Sequence, residues 1–340
     1  MGDDMTSTAF ADTGTQPDAK IAATSSGRTA EIVRAALAAA RDEGHDALTR
    51  TQMLMELAIE LQRRPVSPEH LRAAIDLYDE ALAVCPENEP LLAARITARR
   101  GTALQAVPEE GTALLEEART AYERALSVLE RQGSAEEVAE AEMNRGLVLQ
   151  QLAARGRARI GDATEAYQRA LRTFTARRYP VEFALLQNNL AAAFLSMSTA
   201  GNRAKVSEAL AVQCFELALK AVTRERHPAE YAMLQNNLGN ALQYATSGHP
   251  LENQLRAIAA YDEALSLRSR SKTPLEYANT IANKANCLRN LPDMPPSDSG
   301  ANLRAARAYY LEAREIFSAH GEAEKAKVVT EALAELESPS

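Results

Sequence analysis

The stretch AIAAYDEAL, residues 257–265, decides the fold because five similar stretches lie elsewhere in the chain. In all six, two alanines stand seven residues apart, with an aromatic residue four residues after the first. These spacings place the three side chains on one helix face, where small residues allow close approach and the ring fills the space beside them. The pattern predicts six helices that each bury a ring. The copies occupy residues 74–82, 118–126, 163–171, 211–219, 257–265 and 306–314, with the rings Tyr78, Tyr122, Tyr167, Phe215, Tyr261 and Tyr310.

A different helical pattern alternates with this one and recurs at residues 139–152, 184–197, 232–245 and 278–291. Its starts lie 45, 48 and 46 residues apart. Three copies begin with the phrases YPVEFA, HPAEYA and TPLEYA, in which Pro180, Pro228 and Pro274 suit the first turn of a helix. A glutamate two residues later complements the positive end of the helix dipole. The sequence therefore predicts helix pairs, in which a first helix precedes a ring-bearing second helix.

This alternation resembles the tetratricopeptide repeat family. The resemblance rests on the Leu-Gly or Leu-Ala pair of the first helix, as in Leu238 with Gly239 and Leu190 with Ala191, and on the Ala, aromatic, Ala frame of the second helix. It covers residues 45–337, although the period of 45 to 48 residues exceeds the roughly 34 residues of that family. The longer period is similar to the repeats of kinesin light chains and of bacterial proteins linked to CHAT proteases, which implies a bacterial protein.

The resemblance implies an all-α fold: an α-solenoid of about six antiparallel helix pairs with capping helices at both ends. We expect a disordered tail at residues 1–27, because this polar segment offers little apolar surface to offset the entropy of ordering. An N-terminal capping helix at 28–44, the repeat solenoid at 45–320, and a C-terminal capping helix and tail at 321–340 complete the expected organisation. Repeat arrays need such caps to cover their ends.

One asparagine occupies the same place in four successive first helices. The resemblance implies that this place lies on the concave wall, where an amide can donate to and accept from a bound peptide backbone. An arginine on that wall can hold a carboxylate through two hydrogen bonds. In the alternative interpretation, the asparagines bond a neighbouring helix and the arginines are solvated. The predicted partner-binding residues are Asn144, Asn189, Asn237 and Asn283, together with Asn240, Asn286, Gln243, Arg289, Arg95 and Arg99.

Composition favours a cytoplasmic protein without catalytic chemistry. The net charge of -8 argues against a nucleic-acid partner. Apolar runs are too short to span a membrane, and the polar N-terminus lacks the pattern of a secretory signal. Cys85, Cys214 and Cys287 lie far apart in apolar stretches, so we expect buried thiols rather than disulfides or metal ligands. The five histidines are scattered and no catalytic motif occurs, so we expect no enzyme activity, metal or cofactor.

Two functions fit these observations. The first is a non-catalytic scaffold that binds a peptide, or an extended segment of a partner protein, in the concave groove through the asparagines. The alternative is a regulator or sensor that responds to a ligand or peptide and switches a separately encoded effector, such as a CHAT-type protease. A homo-oligomer is also possible, and the N-terminal tail itself is a conceivable occupant of the groove.

Overall fold

The computed structural model describes residues 38, 45–63, 65, 67–197, 201–292 and 300–337. Within these ranges the chain forms thirteen α-helices and no β-strand. The expected tail at residues 1–27 lies outside the described residues, as does the expected capping helix at 28–44 apart from Ala38, which is helical. The described helices form antiparallel pairs, and within each of two compact units neighbouring pairs pack on each other in sequence order. The prediction of an all-α solenoid built from helix pairs is confirmed.

The helices belong to two compact units, which divide between Thr175 and Ala176. The N-terminal unit contains three helix pairs, and in each pair the two helices pack against each other. The first helices of neighbouring pairs also touch, so α1, α3 and α5 share one face. Its helices are α1 (Ala47–Arg63), α2 (Pro68–Val84), α3 (Pro90–Ala106), α4 (Ala113–Gln132), α5 (Ala135–Ala154) and α6 (Ile160–Ala170).

The C-terminal unit contains three further pairs and a last helix that packs on the sixth pair. Here the first helices α7, α9 and α11 are neighbours in the same way. Three of them begin at the prolines that the sequence marked as helix starts. The helices are α7 (Pro180–Leu195), α8 (Asn202–Ala221), α9 (Pro228–Tyr244), α10 (Pro250–Leu265), α11 (Pro274–Arg289), α12 (Ala301–Ala319) and α13 (Ala323–Glu337).

The predicted rings form the centre of each pair, and all six are at most 3% exposed. Each buried ring contributes roughly 2 kcal/mol of hydrophobic stabilisation. A small residue of the first helix lies directly beneath the ring. A Cβ atom added at Gly239 would lie 2.5 Å from the ring of Tyr261, and one added at Gly146 would lie 2.4 Å from Tyr167. The Leu-Gly pair therefore exists because the ring needs the space.

Candidate partner-binding groove

The N-terminal unit contains a cleft of about 260 Å³ on the face shared by its first helices. Three residues predicted to bind a partner, Arg95, Arg99 and Asn144, line this cleft together. Its apolar floor includes Met55 and Ala98. The cleft thus combines apolar surface with amide, cationic and anionic groups, because Glu137 and Glu140 also line it.

Arg95 is engaged in an ion pair at the edge of the cleft. Its Nε lies 2.5 Å from Oε1 of Glu137 and its Nη2 lies 3.4 Å from Oε2. Glu137 also belongs to the capping box of α5, in which it accepts from the backbone N–H of Ser134 at 2.8 Å. The hydrogen bond from Arg95 is the main reason that the pKa of Glu137 is lowered. Arg95 therefore fixes α3 against the start of α5, and this contact uses the donors that a ligand would need.

Arg99 lies one helical turn after Arg95 and is exposed. Its guanidinium forms no hydrogen bond or ion pair with another group in the described part of the chain. The nearby hydroxyl of Tyr78 donates to Oε1 of Gln62 at 2.6 Å. Burial raises the pKa of Tyr78 to about 12, and the positive charge of Arg99 opposes this shift. Tyr78 therefore stays neutral, and the carboxylates that line the cleft with Arg99 are Glu137, which pairs with Arg95, and Glu140.

Asn144 is half-buried on α5 and lines the same cleft. Among the residues that the structure describes, its side-chain amide makes no hydrogen bond. The preceding residue is Met143, so α5 lacks the double asparagine found in α7 and α9. The amide of Asn144 therefore has both its donor and its acceptor available at the cleft.

The asparagines of the C-terminal unit form a continuous chain of amide hydrogen bonds across three first helices. Asn283 of α11 donates to Asn236 at 3.2 Å, which donates to its neighbour Asn237 at 3.2 Å. Asn237 donates to Asn188 of α7 at 2.9 Å, and Asn188 donates to Asn189 at 3.3 Å. Asn236 and Asn283 are at most 1% exposed. The paired asparagines thus connect neighbouring repeats through their interior.

Three further predicted binding residues hold the hydroxyls of buried tyrosines. The hydroxyl of Tyr261 lies 2.8 Å from Oδ1 of Asn240 and 2.9 Å from Oε1 of Gln243, and it donates to these oxygens. Tyr310 donates to Oδ1 of Asn286 at 2.5 Å. The hydroxyls of the other three ring tyrosines also have partners in the first helix: Tyr78 donates to Gln62, Tyr167 donates to Gln150, and Tyr122 shares a hydrogen bond with Thr102.

Phe215 is the one ring of the six without a hydroxyl, and its first helix lacks the side chains that bond the hydroxyl in the other pairs. In the other pairs, the partner of the hydroxyl stands three or six residues after the position of the recurring asparagine. In α7 these two positions hold Ala192 and Leu195, and the second helix of that pair carries phenylalanine instead of tyrosine. This correlation is visible in the sequence, and it is the signal that our sequence interpretation missed.

The last predicted residue, Arg289, pairs with Glu335 of α13 at 2.7 Å. The ion pair joins the last helix to α11. Both partners are at least a quarter exposed, so the pair contributes well below about 1 kcal/mol to stability. Its role in the structure is to orient α13 rather than to form a cleft.

The thiols are all free. Burial raises the pKa of Cys214 to about 11 and that of Cys287 to about 12, so both stay protonated and unreactive. Cys85 is half-buried. Within the described ranges, no three His, Cys, Asp or Glu side chains come together as potential metal ligands.

The fold is similar to that of several solved structures, since 42 chains match it. The crystal structure of BtubC (BKLC) from P. vanneervenii matches with a TM-score of 0.49 and 19% sequence identity, over 80% of this chain and 94% of that chain. No family model matches the chain, and no curated protein sequence matches it. Of the helices described, none is long and apolar enough to cross a membrane. The helical-repeat class therefore rests on the helix pairs of the chain itself.

Proposed function

We propose that the protein is a non-catalytic scaffold of tetratricopeptide type that binds an extended segment of a partner protein in the cleft of its N-terminal unit. The observation that carries this proposal is that Arg99, a cation without an ion pair among the described residues, and Asn144, an unengaged amide, line one cleft of about 260 Å³. The other predicted residues are engaged in contacts with the protein itself. We therefore assign ligand binding to Arg99 and Asn144.

The chemistry of the cleft defines the ligand. Asn144 can pair with one peptide group of an extended backbone whatever its side chain is, and the apolar floor accommodates a small aliphatic side chain. Arg99 can hold a carboxylate in a bidentate manner, either from an acidic side chain or from a chain terminus. The favoured ligand is thus a short extended peptide with one carboxylate and few bulky residues.

Selection of random peptides on the full-length protein tests this function. The selected peptides should contain an acidic residue or depend on a free C-terminus. Arg99→Ala should weaken their affinity about tenfold or more, because a hydrogen bond to a charged group contributes about 1.5–3 kcal/mol. Asn144→Ala should weaken it several-fold. Fluorescence anisotropy with labelled peptides measures both effects.

Arg124→Ala is the matched control, since Arg124 is an exposed arginine of α4 that does not line the cleft. It should bind as the wild type does. The proposal is wrong if selection yields no peptide, or if the peptides bind Arg99→Ala and Asn144→Ala as tightly as they bind the wild type. Circular dichroism establishes that the variants have the same helix content.

A further inference from the structure

Helix α8 carries an exposed aliphatic face in the C-terminal unit. Val206 is 59% exposed, and Leu210 and Leu217 are each 37% exposed. With about 100° between successive helical residues, these three side chains lie within about 40° of one another around the helix axis. The buried side of the same helix holds Ala211, Phe215 and Ala218 in other directions. The exposed aliphatics thus form a stripe and are not scattered.

The other second helices of the chain show that this stripe is not part of the repeat. Aligned on the first alanine of the frame, the same three positions in the five other second helices hold only alanine or a charged residue. Only the repeat that contains α8 carries this hydrophobic stripe. The equivalent residues are Glu69, Ala73 and Glu80; Ala113, Glu117 and Arg124; Ala158, Asp162 and Arg169; Glu252, Arg256 and Glu263; and Ala301, Ala305 and Glu312.

The spacing of the stripe is that of a coiled-coil seam. Steps of three and four residues lead from Val206 to Leu210, Gln213 and Leu217, which fits alternating a and d positions of a heptad pattern. Continuing the same steps in both directions places Arg203 and Lys220 at the two ends. We call the six residues at positions 203, 206, 210, 213, 217 and 220 the α8 seam. It is about 26 Å long, enough to contact a partner helix of several turns.

The charge on the α8 seam is positive and uncompensated. Arg203 and Lys220 are exposed, and neither forms an ion pair within the described ranges. No seam position carries an acid. The nearest carboxylate on this helix surface, Glu216, pairs with Arg256 of α10 at 2.7 Å. The seam therefore has an aliphatic centre with a cation at each end.

We propose that the α8 seam docks an acidic amphipathic helix of a partner protein. The partner helix presents aliphatic side chains at its own a and d positions and a carboxylate near each end of the contact. A second copy of this chain does not fit. In a parallel contact between two seams, Arg203 would meet Arg203, and in an antiparallel contact Arg203 would meet Lys220. Either arrangement brings cations together, which disfavours association.

A designed helical peptide of about three heptads tests the docking. It has leucine at the seam positions, glutamine opposite Gln213, and glutamate opposite Arg203 and Lys220. A matched peptide has lysine in place of these glutamates. At low salt the full-length protein should bind the glutamate peptide about tenfold or more tightly than the lysine peptide, because complementary charges select the partner. Isothermal titration calorimetry measures both affinities.

Two variants and one control locate the binding. Leu210→Gln/Leu217→Gln should weaken binding of the glutamate peptide about tenfold or more, because it removes the apolar contact. The control Leu255→Gln/Leu303→Gln alters somewhat more exposed leucines of α10 and α12 and should leave the affinity unchanged. Arg203→Glu/Lys220→Glu should reverse the preference in favour of the lysine peptide. Thermal melts followed by circular dichroism compare the folding of all variants.

Other outcomes overturn the proposal. Equal binding of the two peptides, or binding of neither, excludes a charge-selected helix partner. Wild-type dimers that dissociate in Leu210→Gln/Leu217→Gln, observed by analytical ultracentrifugation, assign the seam to a second copy. Binding to anionic vesicles that the same variant abolishes assigns it to a membrane surface. These results are independent of the cleft in the N-terminal unit, whose variants do not touch α8.

Discussion

Nδ2 of Asn237 on α9 lies 2.9 Å from Oδ1 of Asn188 on α7, so two side chains 49 residues apart join neighbouring repeats. This bond is the centre of the amide chain that begins at Asn283 and ends at Asn189. Amides suit this role because each provides both a donor and an acceptor, and a buried chain of them leaves few polar groups unsatisfied. For the same reason, loss of one asparagine breaks the hydrogen bonds on both sides of it.

Asn236→Ala should destabilise the C-terminal unit by about 2–3 kcal/mol. Asn236 is fully buried and both donates and accepts, so its removal leaves the amides of Asn283 and Asn237 without these partners. Asn189→Ala, at the half-buried end of the chain, should cost less than about 1 kcal/mol. Urea denaturation and hydrogen exchange of α9 and α11 measure the difference. Equal stabilities of the two variants would show that the chain does not stabilise the unit.

Phe215→Tyr should destabilise the protein by about 1 kcal/mol, because the added hydroxyl would face Ala192 and Leu195, whose side chains offer no hydrogen-bond partner. Ala192→Asn should restore most of this loss in the double variant, since it recreates the arrangement of Tyr310 with Asn286. Stability is measured by urea denaturation in a double-mutant cycle. Additive effects of the two substitutions would contradict the register deduced from the other five rings.

Gly239→Ala should cost about 1–3 kcal/mol, because its Cβ would stand 2.5 Å from the ring of Tyr261. Gly161→Ala in α6 is the matched control. A Cβ there meets no atom within 4 Å, so this substitution in the first turn of the helix should not destabilise the protein. The midpoints of thermal unfolding report both changes. A neutral Gly239→Ala would mean that the ring shifts without loss of packing.

Alkaline pH should destabilise the protein. Burial raises the folded-state pKa of Tyr78 from 10.0 to about 12, and that of Cys287 from 9.0 to about 12. Below about pH 9, both groups are protonated in the folded and unfolded states, so they have no effect. Between about pH 9 and 12 the unfolded chain releases these protons while the folded chain keeps them. The free energy of unfolding therefore falls as pH rises, by up to about 1.4 kcal/mol per pH unit for each group.

Urea midpoints at pH 8 and pH 10.5 test this dependence, with absorbance at 295 nm following tyrosine ionisation. The core tyrosines should ionise only when the protein unfolds. Tyr78→Phe should show a smaller decline of the midpoint with pH than the wild type. A midpoint that is unchanged at pH 10.5 would mean that the buried groups ionise equally easily in both states.

The core could be predicted from the sequence because its determinants are local. The spacing of Ala257, Tyr261 and Ala264 specifies one helix face, and the prolines specify three helix starts. Those patterns repeat, so a copy whose pattern is unclear can be interpreted from the others. The helix pairs therefore follow directly from the chain.

The site could be predicted only in part, because it depends on which distant groups meet. The ion pair between Arg95 and Glu137 spans 42 residues, and no local pattern indicates it. The hydrogen bond of Asn283 to Asn236 likewise requires knowing that α9 and α11 are neighbours. Register predicted that Asn144 and Arg99 share a face, and both residues line the same cleft. It could not reveal that the other amides are occupied by tyrosine hydroxyls and by one another.

Because the amide hydrogen bonds all run in one direction, the pair formed by α9 and α10 can be duplicated without breaking them. A first helix with two consecutive asparagines takes a donor from the helix after it and gives one to the helix before it, so a duplicated copy would join the chain at both sides. Ala282 stands in α11 where Asn188 and Asn236 stand in their helices, so α11 has no such acceptor for a following copy. Duplication of this helix pair can thus lengthen the chain of amide hydrogen bonds before α11. The chain ends at α11, because Ala282 has no side-chain amide.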